Sequence, residues 1–270
     1  MRNPSLLLIA PLATLLLVAQ PAPVSTSLPV PVLQPGEGLA LTMGDGEVHT
    51  FGEAQKVAPM GSLALLVWLR LEGAEWASQS VQFKCTGSSG PLACSNRKGH
   101  GRVGLGKALQ EDCNLAFLDW IAKSQVGWKA DYGEATARVR MVDVFAPFLG
   151  GRLPQGEGLP PMTGAWLGNG DLLRTSPEGF LRWLMEPEQS GVLSFGRRYL
   201  AGFWVDFGNL MGQEDWWFKT STASVPADPT ATGAWVAGGR GMALVVLHLP
   251  RGRGKEEARA RIRKILGLKG

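Results

Sequence analysis

Lys219-Thr220-Ser221-Thr222 sets one cation beside three small hydroxyl residues, directly after the aromatic run Trp216-Trp217-Phe218. On a β-strand such a segment presents an ammonium and hydroxyl donors along one edge, which suits an acyl substrate. A second reactive type, Ser62, follows Pro59-Met60-Gly61 and opens the apolar stretch Ser62 to Leu71. That position predicts a hydroxyl in the first turn of a buried helix. The three cysteines divide into a pair and a single. Cys85 and Cys94 flank Thr86-Gly87-Ser88-Ser89-Gly90-Pro91, a flexible turn that lets two thiols meet. In an exported protein this spacing favours a disulfide, contributing about 2–3 kcal/mol through loop closure. A metal site competes with it, with only His100 nearby as a third ligand. Cys113 reads as an unpaired, buried, small apolar residue. His49, His100 and His248 fall on separate elements and read as structural, and the acidic residues form no metal-ligand cluster. The expectation is therefore no metal and no cofactor.

The elements that must position these groups can be read from periodicity. Leu39 to Met43 and Val48 to Phe51 flank Gly44-Asp45-Gly46, a hairpin signal. Helical patterns run over Ser62 to Leu71, Leu105 to Trp120, Ala135 to Phe145 and Gly179 to Met185. Lys219-Thr220-Ser221-Thr222 and Ala234-Trp235-Val236-Ala237-Gly238 read as strands, with a polar turn at Asp228 to Gly233 between them. Ala243 to Leu249 reads as a buried strand. Strands at both ends with helices between predict an α+β domain, its antiparallel sheet built from the chain's extremities and flanked by a helical subdomain.

With 270 residues, 45% of them apolar and ten tryptophans, the chain can bury a large core. The apolar run from Ser5 to Ala19 has the length of a signal-peptide core, and Pro11 interrupts it. Residues 1–19 are thus expected to be a signal peptide, with an uncleaved anchor as the alternative. The Pro-rich segment 20–37 reads as an unstructured leader, and 38–270 as the folded domain. Export to the periplasm or cell envelope follows, with membrane contact only through the N-terminal segment. The last twenty residues carry eight Lys/Arg against two Glu, so the net charge of +4 arises there. Lys255 to Leu268 has amphipathic helical spacing, which a solvated helix packed on a sheet explains; nothing else in the chain supports nucleic-acid or anionic-lipid binding.

Five ordered segments resemble the transpeptidase domain of penicillin-binding proteins and the serine β-lactamases, class D in particular. Pro59-Met60-Gly61-Ser62-Leu63-Ala64-Leu65 fits the family's Pro-x-Gly-Ser-x-x-Lys frame, with Ser62 as the nucleophile and Leu65 in place of the lysine. Asp112-Cys113-Asn114, a dozen residues after Gly99-His100-Gly101, matches Ser-x-Asn with Asp112 in the serine position. Leu167-Gly168-Asn169-Gly170 through Thr175-Ser176-Pro177 is similar to the Gly-Gln-Gly…Thr-Pro segment. Lys219-Thr220-Ser221-Thr222 matches Lys-Thr-Gly-Thr with Ser221 for glycine, and Trp235-Val236-Ala237-Gly238 resembles the next strand.

The resemblance implies a catalytic set of Ser62, Asp112 and Lys219, and substrate contacts from Asn114, Thr220, Ser221 and Thr222. The oxyanion hole would come from the backbone N–H groups of Ser62 and Thr222. It implies peptidoglycan stem peptides or β-lactams as partners. The base is missing, because leucine cannot accept a proton, and base catalysis is commonly worth about 10²–10⁴ in rate. Asp112 is expected to pair with Lys219 rather than serve as the base. The implied protein is a catalytically impaired transpeptidase-like domain at the cell wall. Its alternatives are an active D,D-peptidase or β-lactamase with an unusual base, and a secreted protein unrelated to peptidoglycan.

Overall fold

A computed structural model describes residues 30–89, 92–94, 96–150, 158–161, 163–200, 216–225 and 228–267. Strands β1 (Gly38–Thr42) and β2 (His49–Gly52) form the expected hairpin, followed by the short β3 (Ala58–Pro59). A 3-10 turn at Gly61–Leu63 leads into helix α1 (Ala64–Ser78). Next come β4 (Gln82–Cys85), the ribbon β5 (Ser88–Ser89) and β6 (Leu92–Ala93), and β7 (Gly101–Gly104). Helices α2 (Leu105–Gln110), α3 (Asn114–Tyr132) and α4 (Glu134–Phe145) follow. After β8 (Arg174–Thr175) the chain forms α5 (Pro177–Met185) and α6 (Ser190–Leu200). The last third gives β9 (Trp217–Val225), β10 (Asp228–Arg240), β11 (Ala243–Leu249), a π turn at Gly254–Ala258, and α7 (Arg259–Ile265).

The five-stranded sheet has the order β2-β1-β11-β10-β9 and is antiparallel throughout. Its first two strands and its last three come from opposite ends of the sequence, as the hydrophobic pattern predicts. β1 is fully buried, pairing Leu39 with Leu247 and Leu41 with Val245. Such a strand, covered on both faces, needs an apolar run rather than alternation, and β11 (ALVVLHL) supplies one as well.

Helix α1 is the centre of the helical part. Ala64 through Leu69 are all buried, so this stretch has no solvent face and must be surrounded by other elements. Trp68 packs on Phe145 at 4.8 Å between ring centroids, and Trp76 packs on Phe117 at 5.8 Å. Trp68, Trp76, Trp183 and Trp217 are buried, in keeping with a core role.

Three sequence expectations are corrected. The helical pattern over Leu105 to Trp120 is two helices, broken where Asp112 takes φ +53°. The apolar spacing continues across the break, so periodicity alone does not reveal it. The polar segment Asp228 to Gly233 lies within β10, with a register irregularity between Asp228 and Thr232. Residues just before β1 are also packed rather than unstructured. Glu37 is buried and holds Arg261 of α7 through paired contacts, the shortest 2.6 Å. The signal-peptide segment 1–19 lies outside the described residues. Among the described residues no helix is long and apolar enough to cross a membrane.

Candidate functional site

The site forms where the 3-10 turn meets the edge strand β9. Three hydrogen bonds and two close approaches fix the segment carrying Ser62. The Met60 amide donates to Leu173 O at 3.1 Å, and the Trp235 indole donates to Pro59 O at 2.8 Å. Ser221 Oγ donates to Met60 O at 2.9 Å. Gly61, at φ +54°, lies so close to β9 that a Cβ there would stand 2.2 Å from Ser221 Oγ. From the other side Gly168 presses on Gly61, and a Cβ on Gly168 would meet Gly61 O at 1.8 Å. Both positions require glycine.

Lys219 reaches this turn from β9. Its Nζ lies 3.2 Å from Ser62 Oγ, donates to Thr220 O at 2.6 Å, and makes a very short contact with Asp112 Oδ1. An ammonium has three donors and no acceptor, and three acceptors surround this one. A protonated Lys219 thus finds an acceptor for each of its three protons. Its side chain is 2% exposed and that of Asp112 is 18% exposed. Burial pushes the Lys219 ammonium below the usual lysine range, and the Asp112 carboxylate beside it pulls back in the other direction.

The hydrogen-bond direction at Ser62 follows. Its oxygen accepts from Lys219, and its own proton goes to Thr220 O at 3.3 Å. A nucleophilic serine needs the opposite arrangement, in which its proton faces a base. Leu65, three residues on, is fully buried hydrocarbon and offers none.

The predicted residues thus divide into groups. Ser62, Asp112, Lys219 and Thr220 come together at one point. Ser221 is buried against Met60 O, so its hydroxyl is engaged within the fold. Thr222 is exposed, and its Oγ1 accepts from the Gly254 amide at 2.9 Å. Asn114 opens α3 with its Oδ1 buried and without a hydrogen-bond partner among the described residues. Backbone oxygens were beyond the reach of side-chain patterns: Thr220 O receives two of the site's hydrogen bonds.

The expected Cys85–Cys94 disulfide is not formed. Cys85, Cys94 and Cys113 are free, buried thiols. They converge with His100, and one ligand atom from each residue lies within 4.8 Å of the others. The hydrogen-bond contact between the Cys94 and Cys113 sulfurs, at 3.9 Å, draws one thiol of the pair, Cys94, below the usual thiol range and pushes the other, Cys113, above it. Cys113 was missed as a member because it sits far along the chain from the pair. The signal was present as the spacing Cys-x8-Cys-x5-His-x12-Cys. His248 is structural as expected: it packs on Trp235 at 4.3 Å, and burial lowers it to about 4. Its Nδ1, however, has no hydrogen-bond partner among the described residues.

No family model matches the chain, and no curated protein matches it in sequence. Solved structures do match in shape. Penicillin-binding protein 2 of Pseudomonas aeruginosa, in complex with WCK 5153, is 14% identical with a TM-score of 0.53. That match covers 80% of this chain, which spans only 62% of the penicillin-binding protein's length. The penicillin-binding protein PonA1 of Mycobacterium tuberculosis is 15% identical with a TM-score of 0.54, over 81% of this chain and 68% of its own. The class D β-lactamase FUS-1 of Fusobacterium nucleatum subsp. polymorphum is 12% identical with a TM-score of 0.52, over 86% and 91%. At these identities the likeness concerns architecture. The sheet closed from both chain ends, and the serine, lysine and Ser-x-Asn-like turn gathered at its edge, agree with it: this chain has the penicillin-binding transpeptidase and β-lactamase-like fold.

Proposed function

We propose that this chain is an exported, peptidoglycan-associated domain that binds stem peptides or β-lactams and is impaired in acyl transfer. One observation carries the reading: Ser62 receives a hydrogen bond from Lys219 and spends its own proton on Thr220 O. Acylation would require that proton to leave toward a base while the oxygen attacks. The Asp112–Lys219 pair instead locks the cation in place and neutralises the clamp that would hold a substrate carboxylate. The unpartnered Asn114 Oδ1 is left as a group for a peptide backbone N–H. Periplasmic or cell-envelope location rests on the apolar segment Ser5 to Ala19.

A fluorescent penicillin incubated with the purified domain tests this. No covalent band is expected, while immobilised muropeptides retain wild type and Ser62→Ala alike. A Ser62-dependent covalent band overturns the reading.

A second reading is favoured by the 3.2 Å approach of Lys219 Nζ to Ser62 Oγ and by the burial that lowers the lysine's pKa. A neutral Lys219 would then be the unusual base of an active acyl-serine enzyme. In that case the covalent band forms and strengthens as pH rises.

A further inference from the structure

The helical part contains a weak spot in its architecture. Among the described residues β4 pairs only with β7, and β5 only with β6, so two small two-stranded ribbons stand apart from the main sheet. Isolated ribbons of this size do not hold themselves together in water and need packing or a staple. The chain is nonetheless folded tightly here. Gly87 and Gly99 both have positive φ; Cβ atoms on them would stand 2.1 Å from Arg97 O and 2.4 Å from Cys85 O. The Cys94 amide closes the loop on Gly87 O at 2.9 Å. This folding drives four side chains to one point.

The three thiols at that point are free rather than joined in a disulfide. His100 Nδ1 lies 3.3 Å from Cys94 Sγ and 3.6 Å from Cys85 Sγ, and Cys94 Sγ lies 3.9 Å from Cys113 Sγ. A tetrahedral zinc with Zn–S of about 2.3 Å and Zn–N of about 2.0–2.1 Å has S···S edges of about 3.8 Å and S···N edges of about 3.6 Å. The three edges at 3.3, 3.6 and 3.9 Å lie close to these lengths, and all four ligand atoms fall within 4.8 Å of one another. A Cys85–Cys94 disulfide would strand the third thiol and the imidazole, both already aimed at the same space. The outer ring nitrogen of His100 faces Glu111, with Oε2 at 3.8 Å, where metal-bound histidines characteristically find a carboxylate. Lys107 donates to His100 O at 2.9 Å and sets a cation beside a centre that, with three thiolates and Zn²⁺, carries one net negative charge.

We propose that Cys85, Cys94, His100 and Cys113 form a structural Cys3His zinc site. Soft thiolates with an imidazole in tetrahedral array select zinc over hard cations, and four protein ligands leave no open position for catalysis. The site ties the end of β4, the β5–β6 ribbon, the loop before β7 and the start of α3 into one unit. It also reaches the candidate functional site, because Cys113 lies between Asp112 and Asn114. Asp112 holds a left-handed backbone, at φ +53°, that costs a non-glycine residue about 1–2 kcal/mol. A metal bond to the next residue keeps the segment in that conformation and so fixes the carboxylate on Lys219. The proposal stands apart from the peptide-binding reading and survives its failure.

The test is metal analysis and cobalt spectroscopy on the full chain. As isolated, the protein should carry one zinc per chain, with all three thiols unreactive until a chelator is added. Reduced, demetallated protein titrated with Co²⁺ should develop thiolate-to-cobalt charge transfer and the intense visible bands of a tetrahedral site, saturating at one equivalent. Cys113→Ser and His100→Ala should each lower zinc content at least tenfold, while His100→Cys should retain it and shift the cobalt spectrum. Two results overturn the proposal: no charge-transfer band from folded, reduced wild type, or a Cys85–Cys94 disulfide found by peptide mapping of the isolated protein. Undiminished zinc in Cys113→Ser also overturns the four-ligand assignment.

Discussion

Lys219 Nζ stands 3.2 Å from Ser62 Oγ and is simultaneously paired with Asp112, so the serine faces a cation whose charge is already matched. A buried ammonium requires such a partner, and Leu65, buried three residues on from Ser62, offers neither a second cation nor a proton acceptor there.

Under the proposed function, giving Ser62 a base and freeing Lys219 should permit acylation. Leu65→Lys with Asp112→Ser supplies a base three residues from Ser62 and frees Lys219. A penicilloyl adduct is expected by intact mass at a rate about 10²-fold or more above wild type. Continued absence of adduct from a folded double variant argues against the want of a base as the sole obstacle to acylation.

Asp112→Asn leaves the Lys219 ammonium buried without its countercharge. A loss of about 3 kcal/mol is expected in urea unfolding near pH 7. The sign of its pH dependence follows from linkage. The folded-state pKa of Lys219 is depressed below 10.5 by burial, and removing Asp112 depresses it further. In the window between, the unfolded chain binds more protons, so stability rises with pH. The deficit relative to wild type should narrow from pH 7 to pH 10; a constant deficit contradicts the buried pair.

His248 predicts acid sensitivity. Its folded-state pKa is lowered from 6.5 to about 4, mainly by burial and then by Lys56. Stability that is full above pH 6.5 should be lost as pH falls through 4, by up to about 3 kcal/mol. His248→Phe keeps a ring on Trp235 and removes the titration. Its urea midpoint should fall less than that of wild type between pH 7 and pH 4.

Gly168 and Gly170 separate steric closeness from backbone strain. Both have positive φ, but a Cβ at Gly168 would meet Gly61 O at 1.8 Å, whereas Gly170 has nothing within 4 Å. Gly170→Ala should cost about 1 kcal/mol, the strain alone. Gly168→Ala should cost clearly more and should perturb the turn carrying Ser62, both readable from unfolding midpoints and amide chemical shifts.

How far the sequence speaks depends on how local the cause is. Ala243 to Leu249 could be read as a strand because its apolar run is continuous, and α4 because its spacing is regular. The Asp112–Lys219 contact was legible through the missing lysine at position 65, since a buried cation must find an anion. The break before Asn114 was not legible, because it lies in one backbone angle of Asp112 and leaves the apolar spacing intact. Thr220 O carries no signature, as every residue has a carbonyl. Cys113 looked solitary because its partners are brought to it by two glycine-dependent turns rather than by proximity along the chain.

The middle strand of the sheet, β11, is made long after its neighbour β1, with most of the described residues between them. Until residue 249 is synthesised, Leu39 and Leu41 have no partner across that edge, and the nascent polypeptide cannot complete its sheet. Closing the sheet therefore waits on a pairing between segments about 200 residues apart, a long-range step that makes folding slow and leaves the apolar edge of the first hairpin uncovered until it is complete.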